Sequence, residues 1–257
     1  MRVLVLVLVL TLAPPAMAAQ CKAQSGGGTA ALVELYTSEG CDSCPPADRW
    51  LSSLAAGGLV PERIVPLALH VDYWDYIGWK DPYARRAFSS RQRKMAQLAR
   101  SAIVFTPQVL PQGRDFRGWG TQAFDAAVAR INARPASARI SLTLEARTKT
   151  ALEVSAVAEL LDVAQMAEAA VYLGAFASKL VSNVAAGENR GRILNHDFVV
   201  LEWLGPLEFG PATRVAERRS LPLLPRADPK HSGVVAFVQN RANAEVLQAL
   251  MLRSCPG

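Results

Sequence analysis

Two cysteines three residues apart, Cys41 and Cys44, have the types and spacing for thiol-disulfide chemistry. In such a pair the thiolate of one cysteine attacks a disulfide, and the second cysteine resolves the mixed disulfide that forms. The residues that follow, Pro45 to Ala56, read as a helix. Pro is tolerated in its first turn, Asp48 lies near its positive end, and Trp50, Leu51 and Leu54 give it an apolar face. A helix N-terminus lowers the pKa of a neighbouring thiol, which makes Cys41 the expected nucleophile and Cys44 the resolving thiol. Asp42 and Glu39 oppose that effect with negative charge. Glu34 sits on the apolar strand that leads into the motif. It is read either as a buried proton relay for Cys44 or as an exposed edge residue.

A second group lies between His70 and Tyr83, a segment dense in aromatics. It follows an apolar strand, so it falls at the carboxyl edge of an α/β sheet, where ligands of such sheets bind. His70, Asp72, Tyr73, Trp74, Asp75 and Trp79 are therefore candidate substrate-platform residues, and apolar packing is the competing reading. The segment from Arg85 to Arg100 is a basic helix without an acid. A solvated face or attraction to an acidic partner or lipid is expected there, not nucleic-acid binding. His196 and His231 have no Cys, Asp or Glu at ligand spacing, and both read as structural. A zinc site would need Cys21 and Cys255 to converge on the CxxC, so no metal and no cofactor are expected.

The N-terminus supplies a compartment. Met1-Arg2, the apolar run Val3 to Leu12, Pro14-Pro15 and Ala16-Met17-Ala18 read as a cleavable signal peptide over residues 1–18. The run is too short to span a bilayer, and no later stretch is long enough. A secreted or periplasmic protein without a transmembrane segment after signal removal is expected. In an oxidising compartment four cysteines allow three pairings. With Cys41 and Cys44 paired locally, Cys21 and Cys255 remain at the two ends of the mature chain, and a structural disulfide between them is expected. The chain is 51% apolar and 19% charged, which excludes a disordered protein, and its net charge is +6.

The elements that must position these residues alternate at first. Residues 22–29 read as a flexible lead-in, Ala30 to Thr37 and Ile64 to Val71 as buried strands, and Pro82 to Arg100 as a helix. Gln108 to Leu110 is a short strand, and Gly120 to Ala133 is a closing helix with Phe124, Val128 and Ile131 on one face. After Arg134-Pro135 the pattern becomes one of short alternating strands. They run from Ile140 through Leu152, Val171 to Ala177, Lys179 to Val184, Ile193 to Trp203 and Val234 to Gln239, with Glu245 to Leu252 a further one. The fold class is α/β. One domain is expected over residues 19–135 with the CxxC, and a β-sandwich-like all-β domain over residues 136–257.

The order of strand, CxxC helix, strand, Thr106-Pro107, strand, turn and closing helix resembles the thioredoxin fold. More narrowly, Glu34-Leu35-Tyr36-Thr37-Ser38-Glu39-Gly40-Cys41-Asp42-Ser43-Cys44-Pro45 is similar to a family of secreted bacterial proteins known as a domain of unknown function with a thioredoxin-like fold. So are His70-Val71-Asp72-Tyr73-Trp74-Asp75, Phe105-Thr106-Pro107-Gln108 and Gly187-Glu188-Asn189-Arg190-Gly191-Arg192. The resemblance implies a cis Thr106–Pro107 bond facing the CxxC and places Thr106 and Pro107 in the site. Asp-Ser between the cysteines departs from the Gly-Pro of thioredoxin itself. The expected function is an exported thiol-disulfide oxidoreductase acting on protein thiols or disulfides in the cell envelope. The alternative is a non-catalytic envelope binding protein in which Cys41–Cys44 is a static bridge.

Overall fold

The computed structural model describes residues 20–56, 61 and 63–254. The expected signal peptide lies outside the described residues, as does Cys255, the expected partner of Cys21. The elements in chain order begin with β1 (Cys21–Gln24), β2 (Ala31–Thr37), α1 (Pro45–Ser53), β3 (Ile64–His70), α2 (Arg86–Leu98), β4 (Gln108–Pro111) and α3 (Gln122–Asn132). They continue with β5 (Ala138–Arg147), β6 (Ala151–Leu160), β7 (Ala169–Ala177), β8 (Leu180–Asn183) and β9 (Ile193–His196). The last are β10 (Val199–Glu208), β11 (Arg214–Pro222), β12 (Ser232–Asn240) and β13 (Val246–Arg253). The protein is a mostly β α/β protein.

Seven strands form the main sheet in the order β13-β12-β7-β10-β3-β2-β4. β2 and β3 are parallel and fully buried, which is why both read as unbroken apolar runs. α2 buries Phe88, Ser89, Gln92, Met95 and Ala96, one helical stripe, and leaves its arginines outside apart from Arg91. It starts at Arg86, later than the expected Pro82, because Arg85 is extended (φ −137°, ψ 135°). α3 begins at Thr121, whose hydroxyl caps the helix by accepting from Ala123 N (3.3 Å). A second sheet, β1-β5-β6-β11, is antiparallel throughout. Its strands alternate, and Ile140, Leu142, Leu144, Val154 and Ala158 are buried in the core shared with the main sheet.

The sheets do not divide at residues 135–136. β10 joins β3 in parallel through Val199 beside Ala68, with Ala68 N donating to Phe198 O (2.8 Å). β7, β12 and β13 therefore extend the sheet that carries the CxxC strand. In the other direction, β1 leaves the first half to pair with β5, Cys21 opposite Leu144. The expected flexible lead-in is thus a strand as far as Gln24. The single strand expected from Ile193 to Trp203 is two, broken at Phe198, whose φ is +58°. β8 and β9 then form a separate hairpin, Leu180–Asn183 against Ile193–His196, which projects from the main sheet.

Candidate active site

β2 ends at Thr37, and the chain turns at once into the CxxC, with Cys41 N donating to Ser38 O (3.2 Å). Cys44 is the N-cap of α1, and Pro45 and Pro46 fill its first two positions. Cys41 and Cys44 are disulfide-bonded, with Cα atoms 5.4 Å apart. The two prolines have no N–H, so the first amides that usually favour an anion at a helix start are missing. Ser43 compensates in part, because its hydroxyl oxygen lies 3.3 Å from the Cys41 sulfur. Gly40 makes the close approach of this loop to its neighbours possible. A Cβ there would stand 3.0 Å from Trp74 Cβ and 3.3 Å from Ile77 Cδ1.

The expected nucleophile does not face solvent. Cys41 is 1% exposed and Cys44 is fully buried. The cover is the turn of the β8–β9 hairpin. Asn189 Nδ2 donates to the carbonyls of Glu39 and Cys41, both at 2.8 Å. Glu188 Oε2 accepts from Asp42 N (3.0 Å), and Arg192 holds the Asn189 amide oxygen (2.9 Å). Gly187 has φ +73° and sits 3.1 Å, as a Cβ, from Ile77 Cδ1, so a side chain there would clash and strain the turn.

Beneath the disulfide is a buried polar cluster. The parallel register of β2 and β3 sets Thr37 beside His70. His70 Nδ1 lies 2.7 Å from Asp81 Oδ2, and the same oxygen accepts Glu39 N (2.9 Å). The Glu39 carboxylate accepts from Trp79 Nε1 (2.7 Å) and lies 3.0 Å from His196 Nε2. The two imidazoles are edge to face, 5.0 Å between centroids, and Tyr83 packs on both. Burial opposes charge on His70, but Asp81 above all, with Asp48 and Glu39, outweighs it and raises its pKa to about 9. Burial also works against the Asp81 anion, and His70 with the Glu39 and Tyr83 amides holds its pKa below the usual value. Asp48 is different. Burial raises its pKa against the pull of both histidines, and its Oδ1 has no hydrogen-bond partner among the described residues. It lies four residues after Cys44 on α1, one turn along the same face, with Asp48 N donating to Cys44 O (3.1 Å).

Glu34 is not the exposed edge residue of the second reading. It is fully buried, and both of its oxygens are taken by Arg91 of α2 (2.5 and 3.2 Å). Arg91 also donates to Gln239 (3.0 Å) and lies 5.1–5.2 Å from the ring centroids of Tyr172, Trp203 and Phe237. Its guanidinium charge and planar fork explain why the pair survives burial. With both oxygens on Arg91, Glu34 stands in a buried ion pair, and the exposed-edge reading is corrected.

The expected platform is largely hydrogen-bonded to the elements around it. Asp72 accepts from Ser89, Tyr73 OH donates to Gln92 (3.1 Å), and Asp75 Oδ1 accepts from Asp81 N (3.2 Å). Trp74 Nε1 donates to Thr106 Oγ1 (2.7 Å), so Trp74 joins the Thr106 loop to Gly40. The Thr106–Pro107 bond is cis. β4 pairs antiparallel with β2, Gln108 opposite Tyr36, which carries Pro107 toward the Thr37 end, where the CxxC begins. His70 and Trp79 belong to the buried cluster. Sequence reasoning missed His196, Asp81, Asp48 and Asn189. His196 and Asn189 lie 157 and 150 residues from Glu39, beyond the reach of local spacing. Among the described residues no group of three or more His, Cys, Asp or Glu is arranged to hold a metal ion.

Fold and site define an α/β protein with a covered CxxC disulfide over buried histidine–carboxylate pairs. The chain belongs to the family described as Protein of unknown function (DUF1223), whose model matches residues 32–239. No curated protein matches it. Two solved structures are similar. Protein AGR_C_4864 from Agrobacterium tumefaciens is 22% identical, with 91% of this chain and 98% of that one covered and a TM-score of 0.66. HBP35 of Porphyromonas gingivalis is 15% identical, with 89% and 76% covered and a TM-score of 0.66. At these identities the likeness is one of fold.

Proposed function

We propose that this protein is an exported thiol-disulfide oxidoreductase whose first half is thioredoxin-like. The carrying observation is the Cys41–Cys44 disulfide at the start of α1, with the Ser43 hydroxyl at the Cys41 sulfur and, one turn beyond Cys44, the buried Asp48 carboxyl, whose Oδ1 has no hydrogen-bond partner among the described residues. The cis Thr106–Pro107 bond and the β2-α1-β3-α2-β4-α3 order support the thioredoxin-like reading. In the oxidising direction, a substrate thiolate attacks Cys41, forming a mixed disulfide and releasing the Cys44 thiolate, which takes a proton from Asp48. A second substrate thiolate then attacks the substrate sulfur of the mixed disulfide. The substrate leaves as a disulfide and Cys41 leaves as a thiolate, to which the Ser43 hydroxyl donates. The reverse sequence reduces a substrate disulfide. No helix among the described residues is long and apolar enough to cross a membrane.

The burial of Cys41 favours one other reading, a static bridge in a binding protein. Trapping separates the two. If the enzyme reading holds, Cys44→Ser accumulates mixed disulfides on Cys41 in the envelope, Cys41→Ser does not, and the couple lies above about −300 mV. No trapping in either variant, with a potential well below that value, establishes the static bridge.

A further inference from the structure

A second concave site lies at the stem of the β8–β9 hairpin, apart from the disulfide. Its volume is about 330 Å³, within the range of small-molecule sites. Ser178-Lys179 enter the hairpin on one side of it, and Asp197-Phe198 leave on the other. Lys230 and His231 wall it before β12, and Arg253 walls it at the end of β13. Phe176 and Phe198, with ring centroids 6.2 Å apart, give it an apolar floor.

Three cations, Lys179, Lys230 and Arg253, face this space with one carboxylate. That carboxylate, Asp197, already accepts Lys179 N (3.0 Å). Among the described residues none of the three cations belongs to an ion pair. Arg253 instead lies over the Phe198 ring (5.6 Å). Like charges gathered in a concavity repel one another and focus a positive potential that an anion relieves. The backbone gives a second, independent sign. Lys179 and Phe198 both sit in the left-handed region, at φ +56° and +58°, where side chains are disfavoured. Such strain clusters at binding and catalytic sites. Here both of these hairpin-stem residues line one pocket.

We propose that this pocket binds a small organic anion, with its phosphate or carboxylate groups on Lys179, Lys230 and Arg253 and its apolar body on Phe176 and Phe198. The test is calorimetric titration of the full chain with phenyl phosphate and with phthalate, against inorganic phosphate. Saturable one-to-one binding is expected for at least one organic anion, with phenyl phosphate preferred if the natural group is a phosphate and phthalate if it is a carboxylate. Inorganic phosphate is expected to bind at least tenfold more weakly. Lys230→Glu and Arg253→Glu are each expected to weaken binding at least tenfold with an unchanged melting temperature, since both side chains are exposed. Lys230→Gln gives a smaller loss and replaces either variant should it unfold. Absence of saturable binding by both organic anions, or affinity indifferent to charge reversal, overturns the site. Inorganic phosphate binding as tightly as the organic anions overturns the organic ligand class.

Discussion

Asn189 donates its side-chain amide to the carbonyl of Cys41 across 148 residues of sequence. The turn that carries it belongs to the β-rich half of the chain, and the disulfide it covers belongs to the α/β half. The CxxC loop is therefore held by a contact that neither half makes alone.

Asn189→Ala should loosen that cover. It removes three hydrogen bonds and leaves the Glu39 carbonyl unpaired, while Cys41 O keeps the Cys44 amide (3.3 Å), a cost of about 1–3 kcal/mol before relaxation. Faster reduction of Cys41–Cys44 by a small thiol is expected, with a lowered melting temperature. Thiol release followed against time measures the first, and a thermal melt the second. An unchanged reduction rate would show that the turn does not limit access.

Asp48→Asn should stabilise the oxidised protein at alkaline pH. The pKa of Asp48 is raised in the folded state, so folding favours its protonated form. Its burial is harmless below the unfolded pKa, near 4, and increasingly unfavourable as pH rises through the folded one. The gain in melting temperature over wild type should be near zero at pH 4 and grow toward pH 8. The same variant should slow Cys44-dependent exchange about tenfold or more if Asp48 is its proton partner.

His70 titrates in the opposite sense. Its pKa is raised to about 9, so the stability it contributes with Asp81 is complete below the unfolded value, near 6.5, and is lost as pH rises through 9. Melting temperature should fall over that window. Asp81→Asn should flatten the dependence and cost about 3–5 kcal/mol at pH 6, because it removes the charge facing the buried His70 cation and one of the two oxygens that accept from Glu39 N and Tyr83 N. Melts from pH 5.5 to 9.5 in both proteins decide the point.

Arg91→Met should cost about 3–5 kcal/mol, since it strands the buried Glu34 carboxylate. Glu34→Gln should cost less and leave the pH profile of thiol exchange unmoved. A displaced profile in Glu34→Gln would restore Glu34 as a proton relay.

Local sequence reached the elements whose causes are local. The CxxC before Pro45, the apolar runs of β2 and β3, and the stripe on α3 were legible because each depends on neighbours in the chain. The cis Thr106–Pro107 bond was legible only through the family resemblance. β11 was not legible. Arg214-Val-Ala-Glu-Arg-Arg-Ser is an edge strand with one exposed face, so little apolar alternation marks it. Nor did the sequence give Glu39 its partners. Two residues before Cys41, it reads as a negative charge opposing the thiolate, and only tertiary packing turns it to Trp79 and His196.

The joint between β3 and β10 makes the two halves inseparable as material. A fragment ending at residue 135 would expose the edge of a fully buried strand at Ala68. It would also lose His196 from Glu39 and Asn189 from Cys41, and β1 would have no strand to pair with. Such a bare apolar edge invites self-association. The CxxC half thus has no closed edge of its own, and its polar cluster is completed only by the strands that follow residue 135.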